Sequence, residues 1–169
     1  MSGLKATGGG DFPEDMAGAF DVALKLDWSS KSKYAILIAD APCHGKKYHD
    51  SHSDDYPNGD PNGLNIENLV KEFANKKISL NAVTIHAYST DKMYSIFNRL
   101  YEEISKVPIA IANLGNSTKD FNFFVTESVK SSISRSESKS SSSLMNKLIS
   151  LSASNQYEVI DSVISMLNE

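Results

Sequence analysis

Asp40 closes the run Tyr34-Ala35-Ile36-Leu37-Ile38-Ala39 and hands it over to a polar segment. In open α/β sheets ligands settle outside the carboxyl ends of strands, so a carboxylate at that point is a candidate to hold a cation. The same residue type also caps turns, which is the plainer reading. A second carboxylate, Asp11, follows Gly8-Gly9-Gly10 and precedes a helical pattern. Unpaired N–H groups at such a helix start can gather an ion or metal site, although a turn needing φ > 0 explains the glycines equally well.

Between residues 41 and 63 the chain gathers His44, His49, Asp50, His52, Asp54, Asp55 and Asp60. Imidazole and carboxylate are ligand types for zinc and other first-row metals, so a metal site can be drawn from them. No HExxH is present, His44 and His49 are not four residues apart, and the prolines and glycines around them fit a solvated polar loop. Cys43-His44 invites a nucleophile reading, but neighbours in sequence do not normally bring thiol and imidazole into line, and no oxyanion donor is identifiable. His86 reads as a packed or turn histidine at a strand end.

These residues need a scaffold, and the hydrophobic pattern supplies one. Met16, Ala17, Phe20 and Leu24 recur at helical spacing and predict a helix over 12–26, with Asp11 at the N-cap, Pro13 in the first turn and Glu14 completing a capping box. Tyr34 to Ala39 has no polar alternation, as expected of a strand buried on both faces. After the 41–63 loop, Ile66, Leu69, Val70 and Phe73 predict a helix through Lys77, and Leu80 to Ala87 a strand. Met93, Ile96, Phe97, Leu100, Tyr101 and Ile104 predict a further helix capped by Ser89-Thr90-Asp91; Pro108 to Leu114 a short strand; and Phe121, Phe124, Val125 and Val129 a last helix. Strands alternating with helices argue for a parallel α/β sheet. Ser131 to Ser143 holds nine serines in thirteen residues and predicts a linker, followed by short helical patterns over 144–151 and 157–167.

Length and composition bound the function. With 169 residues, 40% of them hydrophobic, the chain suits one domain with a sizeable core. Seventeen Lys and Arg against twenty-one Asp and Glu leave a formal net charge of -4, which disfavours a general nucleic-acid binder. The longest apolar run is far short of the ~20 residues of a membrane span. A single cysteine, Cys43, forms no internal disulfide, and a reducing, cytoplasmic setting is expected.

The motifs Thr7-Gly8-Gly9-Gly10-Asp11-Phe12-Pro13-Glu14-Asp15, Asp40-Ala41-Pro42-Cys43-His44-Gly45 and Asp54-Asp55-Tyr56-Pro57-Asn58-Gly59-Asp60-Pro61-Asn62-Gly63-Leu64 occur in that order. Together they resemble the latter part of a von Willebrand factor A domain, of the kind attached to alpha-kinases in amoebae and other protists, and more distantly the hemicentin type. The resemblance covers about residues 2–133. It implies a doubly wound, mostly parallel, Rossmann-like sheet that carries a metal-ion-dependent adhesion site. The family's ligands there are an Asp-x-Ser-x-Ser segment, a Thr and an Asp. Asp40 matches the last Asp and Asp11 falls where the Thr is expected. No Asp-x-Ser-x-Ser occurs in this sequence, so the resemblance implies missing N-terminal strands and an incomplete site. Residues 1–133 then form a partial A domain, 134–143 a Ser-rich linker and 144–169 a C-terminal helical segment.

The implied function is a non-enzymatic module binding a protein partner through a divalent cation, Mg²⁺ with Ca²⁺ or Mn²⁺ as alternatives, held weakly or not at all by a chain lacking the Asp-x-Ser-x-Ser segment. The metal ligands are Asp40 and Asp11, and the partner-binding loop carries His44, His49, Asp54, Asp55 and Asp60. Neither nucleic acid nor a membrane span is expected, and the apolar 34–39 strand, left as a sheet edge, invites self-association. A regulatory region of an alpha-kinase-like serine/threonine kinase is the alternative, and a metal-dependent hydrolase on the His/Asp loop a weaker one.

Overall fold

A computed structural model describes residues 9–51, 53–113 and 118–152. His52, the first of the three glycines and residues 153–169, with the 157–167 helical pattern, lie outside the described residues. The chain divides into two units, residues 1–128 and 129–169.

The first unit contains α1 (Met16–Leu24), β1 (Tyr34–Ala39), α2 (Ile66–Asn75), β2 (Ser79–Thr84), α3 (Ala87–Ser105) and β3 (Ala110–Asn113), in that order. The strands form one parallel sheet in the order β1-β2-β3, with Ala35 opposite Leu80 and Leu37 opposite Ala82. Both crossovers step in the same direction, and crossovers of one hand then place α2 and α3 on the same face. The core lies there: Ala35, Leu37, Leu80 and Ala82 from the sheet meet Phe20, Val70, Phe73, Met93, Phe97 and Leu100. Phe20 sits edge-on to both Phe73 and Phe97, at 5.1 and 5.8 Å between ring centroids, which locks α1 onto α2 and α3.

Several expectations are corrected. The first helix starts at Met16, not Phe12, and Asp15, not Asp11, is its N-cap, accepting from Gly18 N–H at 2.7 Å. The preceding residues are spent otherwise, because Glu14 N–H donates to Pro42 C=O at 2.9 Å and Glu14 bridges Cys43. Strand β1 is the sheet edge that the resemblance implies, but it is not buried on both faces: Tyr34 and Ile38 are 40% and 49% exposed. The strand flanked on both sides is β2, whose Asn81 and Thr84 interrupt the apolar run that would have marked it. Helix α3 has His86 as N-cap with no side-chain cap bond. The hydroxyls expected to cap it turn elsewhere: Thr90 Oγ1 meets Thr84 Oγ1 at 2.7 Å in the interior, and Ser89 Oγ donates to Asp40 C=O and His86 C=O, both at 2.6 Å.

The Ser-rich segment belongs to a helix. Helix α4 runs Thr118–Ser152, past the expected end at Val129 and through 134–143. Several of its serines bond back to the helix: Ser136 Oγ donates to Ser132 C=O and Ser142 Oγ to Ser138 C=O, so these hydroxyls are satisfied without apolar packing. Among the described residues no helix is long and apolar enough to cross a membrane.

Tyr101 ties α3 to the start of β2. Its hydroxyl donates to Ile78 C=O at 2.8 Å and accepts from Leu80 N–H at 3.2 Å, both in the interior. Tyr101→Phe keeps the ring and removes both bonds, so it is expected to cost about 1–3 kcal/mol, read as a lowered midpoint in denaturant with an unchanged m-value.

Candidate functional site: a loop built on a buried carboxylate

Among its described residues the 41–63 loop contains no helix and no strand beyond the Glu14–Cys43 bridge, yet its first part is packed inward while much of the remainder is exposed. Ala41, Pro42, Cys43, Tyr48 and His49 are buried. Its backbone is organised by Asp54, whose side chain is 3% exposed. Oδ1 accepts from His44 Nδ1 at 2.9 Å and from Tyr56 N–H at 2.9 Å. Oδ2 accepts from Gly45 N–H at 2.9 Å and from His49 Nε2 at 3.0 Å. Burial alone would raise the Asp54 carboxyl, but the bonds from His44, Gly45, Tyr56 and His49 outweigh it and hold it at about 2.

The bonds fix the imidazoles as well. His49 gives its Nε2–H to Asp54 and accepts from Ser51 N–H on Nδ1 at 3.2 Å, which is the pattern of the neutral Nε2-protonated ring. His44 gives its Nδ1–H to Asp54, and its ring stands edge-on to Tyr56 with 4.9 Å between centroids. Gly45, at φ +111, supports this turn: a Cβ there would press on the Tyr48 ring at 3.1 Å.

Asp11 joins from the other side. Its Oδ2 accepts from Asp55 N–H at 2.7 Å and lies 3.6 Å from His44 Nδ1, so Asp11, His44 and Asp54 form one group with ligand atoms within 4.8 Å of one another. Asp40 is not in that group. It is exposed at the end of β1, where Ile85 N–H donates to Ala39 C=O and Ser89 anchors the carbonyl of Asp40 itself.

Of the five residues assigned to a partner-binding loop, His49 and Asp54 have nearly inaccessible side chains bonded within the loop, so they build it. His44 is a 10% exposed side chain in the same network. Asp55 is exposed, and Asp60 is half-buried with Oδ2 accepting from Leu64 N–H at 2.9 Å. Asp50 is exposed and held low by its bond and charge pairing with Lys92. An open cleft of about 430 Å³ is lined by Lys46, His49, Asp50, Ser51, Asp54 and Pro57. Cys43 is buried, and burial pushes its thiol up to about 12, which removes it as a nucleophile beside His44. His86 is exposed at the start of α3.

Two anchoring groups were not read from the sequence: Asp54 as the hub, and Ser89 as the support of Asp40. The even spacing of His44, His49 and Asp54, five residues each, was the available signal for the first. Ser89 carried no signal beyond a capping residue type.

No family profile matches the chain, and no solved structure matches it. Among curated proteins it is similar to an alpha-protein kinase, vwkA, of Dictyostelium discoideum, at 35% identity over 140 residues. The match takes in 82% of this chain and spans about a fifth, 22%, of the kinase.

Asp54→Asn is expected to destabilise the chain by roughly 3 kcal/mol or more, because an amide presents N–H to two of the four donors in a buried site. The depressed carboxyl adds a pH signature. Between about pH 4 and pH 2 the unfolded chain binds a proton that folded Asp54 refuses, so stability is full above that window and falls as pH drops through it. Denaturant midpoints measured across the window should slope for the wild type and be flatter for Asp54→Asn.

Proposed function

We propose that the chain is a non-enzymatic interaction module of the von Willebrand factor A type, serving an alpha-kinase-like protein by docking a protein partner in a cation-dependent way. The observation that carries this reading is the 35% identity over 140 residues with one segment of an alpha-protein kinase. The placement of Asp40 supports it, since the carboxyl end of a parallel strand is where such sheets present ligands. The single, buried Cys43 accords with a reducing, cytoplasmic setting.

The donor set fits a hard cation in part. Asp40 and Asp11 offer carboxylate oxygens of the kind Mg²⁺, Ca²⁺ and Mn²⁺ prefer. Asp54 does not fit, because its two oxygens already accept four bonds. Asp40 would be the exposed carboxylate that takes the cation, and Asp11, which stands in the separate group with His44 and Asp54, would be the second ligand that the resemblance implies, with exposed Asp55 beside it. When bound, the cation supplies the positive charge that lets a partner's carboxylate approach an acidic surface. A regulatory region of the kinase itself is the second reading, favoured by the name of the relative; the partner would then be the kinase portion. A hydrolase on the His/Asp loop has less support, since the histidine and acid it would use are spent on each other.

The test is a Mg²⁺ titration followed by calorimetry and thermal melting. Because the site is incomplete and weak, Mg²⁺ is taken to tens of millimolar, where wild type should melt higher and revert with EDTA. Asp40→Ala should lose that response with its Mg²⁺-free melt unchanged. Asp11→Ala should lose it and also melt lower without Mg²⁺, because its carboxylate holds Asp55 N–H. A wild type indifferent to Mg²⁺ and EDTA, or an Asp40→Ala chain that still responds, would refute the cation-dependent reading.

A further inference from the structure

We propose that Ser138 and Ser142 in helix α4 are phosphoacceptor sites for a serine/threonine kinase that reads a cation three residues ahead of its target, and that phosphate there unwinds the middle of the helix. Both side chains are exposed. Arg135 precedes Ser138 by three residues and Lys139 precedes Ser142 by three, a charge pattern of the kind by which kinases select substrates. The other described exposed serines of the run, Ser131, Ser134 and Ser141, have no cation at that position; Ser131 instead accepts from Arg135 Nη1 at 3.0 Å. Ser136 is half-buried and donates to two carbonyls, of Ser132 and Ile133.

The helix is poorly defended at this point. Serine is a weaker helix former than Ala, Leu, Lys or Glu because its hydroxyl competes for backbone groups. Ile133 is the one apolar residue between 131 and 143, and it is 43% exposed. The face that is covered here is polar, with Ser132 buried and Ser136 half-buried, so packing removes little apolar surface from water and the segment opens at low cost and can present an extended stretch to a kinase.

Transfer is balanced with ATP as donor: the serine Oγ bonds to the γ-phosphorus, the bond to the ADP oxygen breaks, and the hydroxyl proton is released. Two consequences follow for the helix. Ser138 Oγ donates to Arg135 C=O at 3.1 Å and Ser142 Oγ to Ser138 C=O at 2.9 Å, and an esterified oxygen has no proton to donate. The two phosphates also stand four residues apart on one helix face, close to Glu137, where like charges repel.

The experiment uses the full chain, the catalytic subunit of a cyclic-AMP-dependent protein kinase as a basic-directed probe, and Mg-ATP. Phosphopeptide mapping should place phosphate on Ser138 and Ser142, and far-ultraviolet circular dichroism should lose helix signal in step with it. Arg135→Ala should slow modification of Ser138 about tenfold and leave Ser142 unaffected. The double variant Ser138→Ala with Ser142→Ala should keep its helix signal and its unmodified state under the same treatment. Phosphate on neither serine, phosphate scattered over the run regardless of Arg135, or a doubly phosphorylated chain with undiminished helix signal would each overturn the proposal.

Discussion

A carboxylate buried in a protein must be met by donors, and at Asp54 that requirement shapes the loop around it. The four donors come from His44, Gly45, His49 and Tyr56, so one side chain closes a stretch of backbone that no sheet or helix ladder could satisfy. The loop's other features follow from this closure. His49 is held as a neutral ring against Ser51, His44 is turned toward Asp11, and the Asp11 strand of chain is drawn across by the Asp55 N–H bond. Within this cluster of metal-ligand residue types, Asp54 works as the acceptor of a hydrogen-bonded frame, each of its oxygens taking two bonds.

The same residue types can play two roles. Asp40 is exposed, and its backbone carbonyl is held by Ser89. Asp54 is buried and saturated, which makes it structural. Asp11 stands between them, half-buried, with Oδ2 committed to Asp55. A surface built this way presents acid at the sheet end while keeping the loop behind it rigid.

The sequence made the elements legible because their apolar residues recur at the right periods. Met16, Ala17, Phe20 and Leu24 all prove buried on α1, and Val70 and Phe73 on α2, since a helix stripe depends on local spacing alone. The parallel α/β arrangement was legible for the same reason. The burial of strands was not. By composition Tyr34 to Ala39 looks interior, and only the missing strands implied by the resemblance made it an edge, whereas β2 tolerates Asn81 and Thr84 inside because Thr84 finds Thr90. Helix starts were misplaced where a capping residue type had another use, as with Asp11 and Ser89. The serine run was read as linker because propensity counts apolar anchors and not hydroxyls that bond back to their own helix. In the candidate site, the place of Asp40 at a strand end was legible from pattern, but Asp11 is not the helix cap the pattern predicted and the hub at Asp54 depends on donors brought together by folding.

Helix α3 connects features at opposite ends of the sheet. Its first turn holds the Asp40 carbonyl through Ser89, and near its far end Tyr101 grips the backbone on both sides of the start of β2. Between them Tyr94 donates to Val83 C=O at 3.3 Å, so the rod is pinned along its length. Nineteen residues at about 1.5 Å each make a strut of roughly 28 Å. Pinned in this way, α3 fixes the separation between the Asp40 corner and the amino end of β2, so the loop face and the opposite end of the sheet are held in register by one helix rather than by the strands alone.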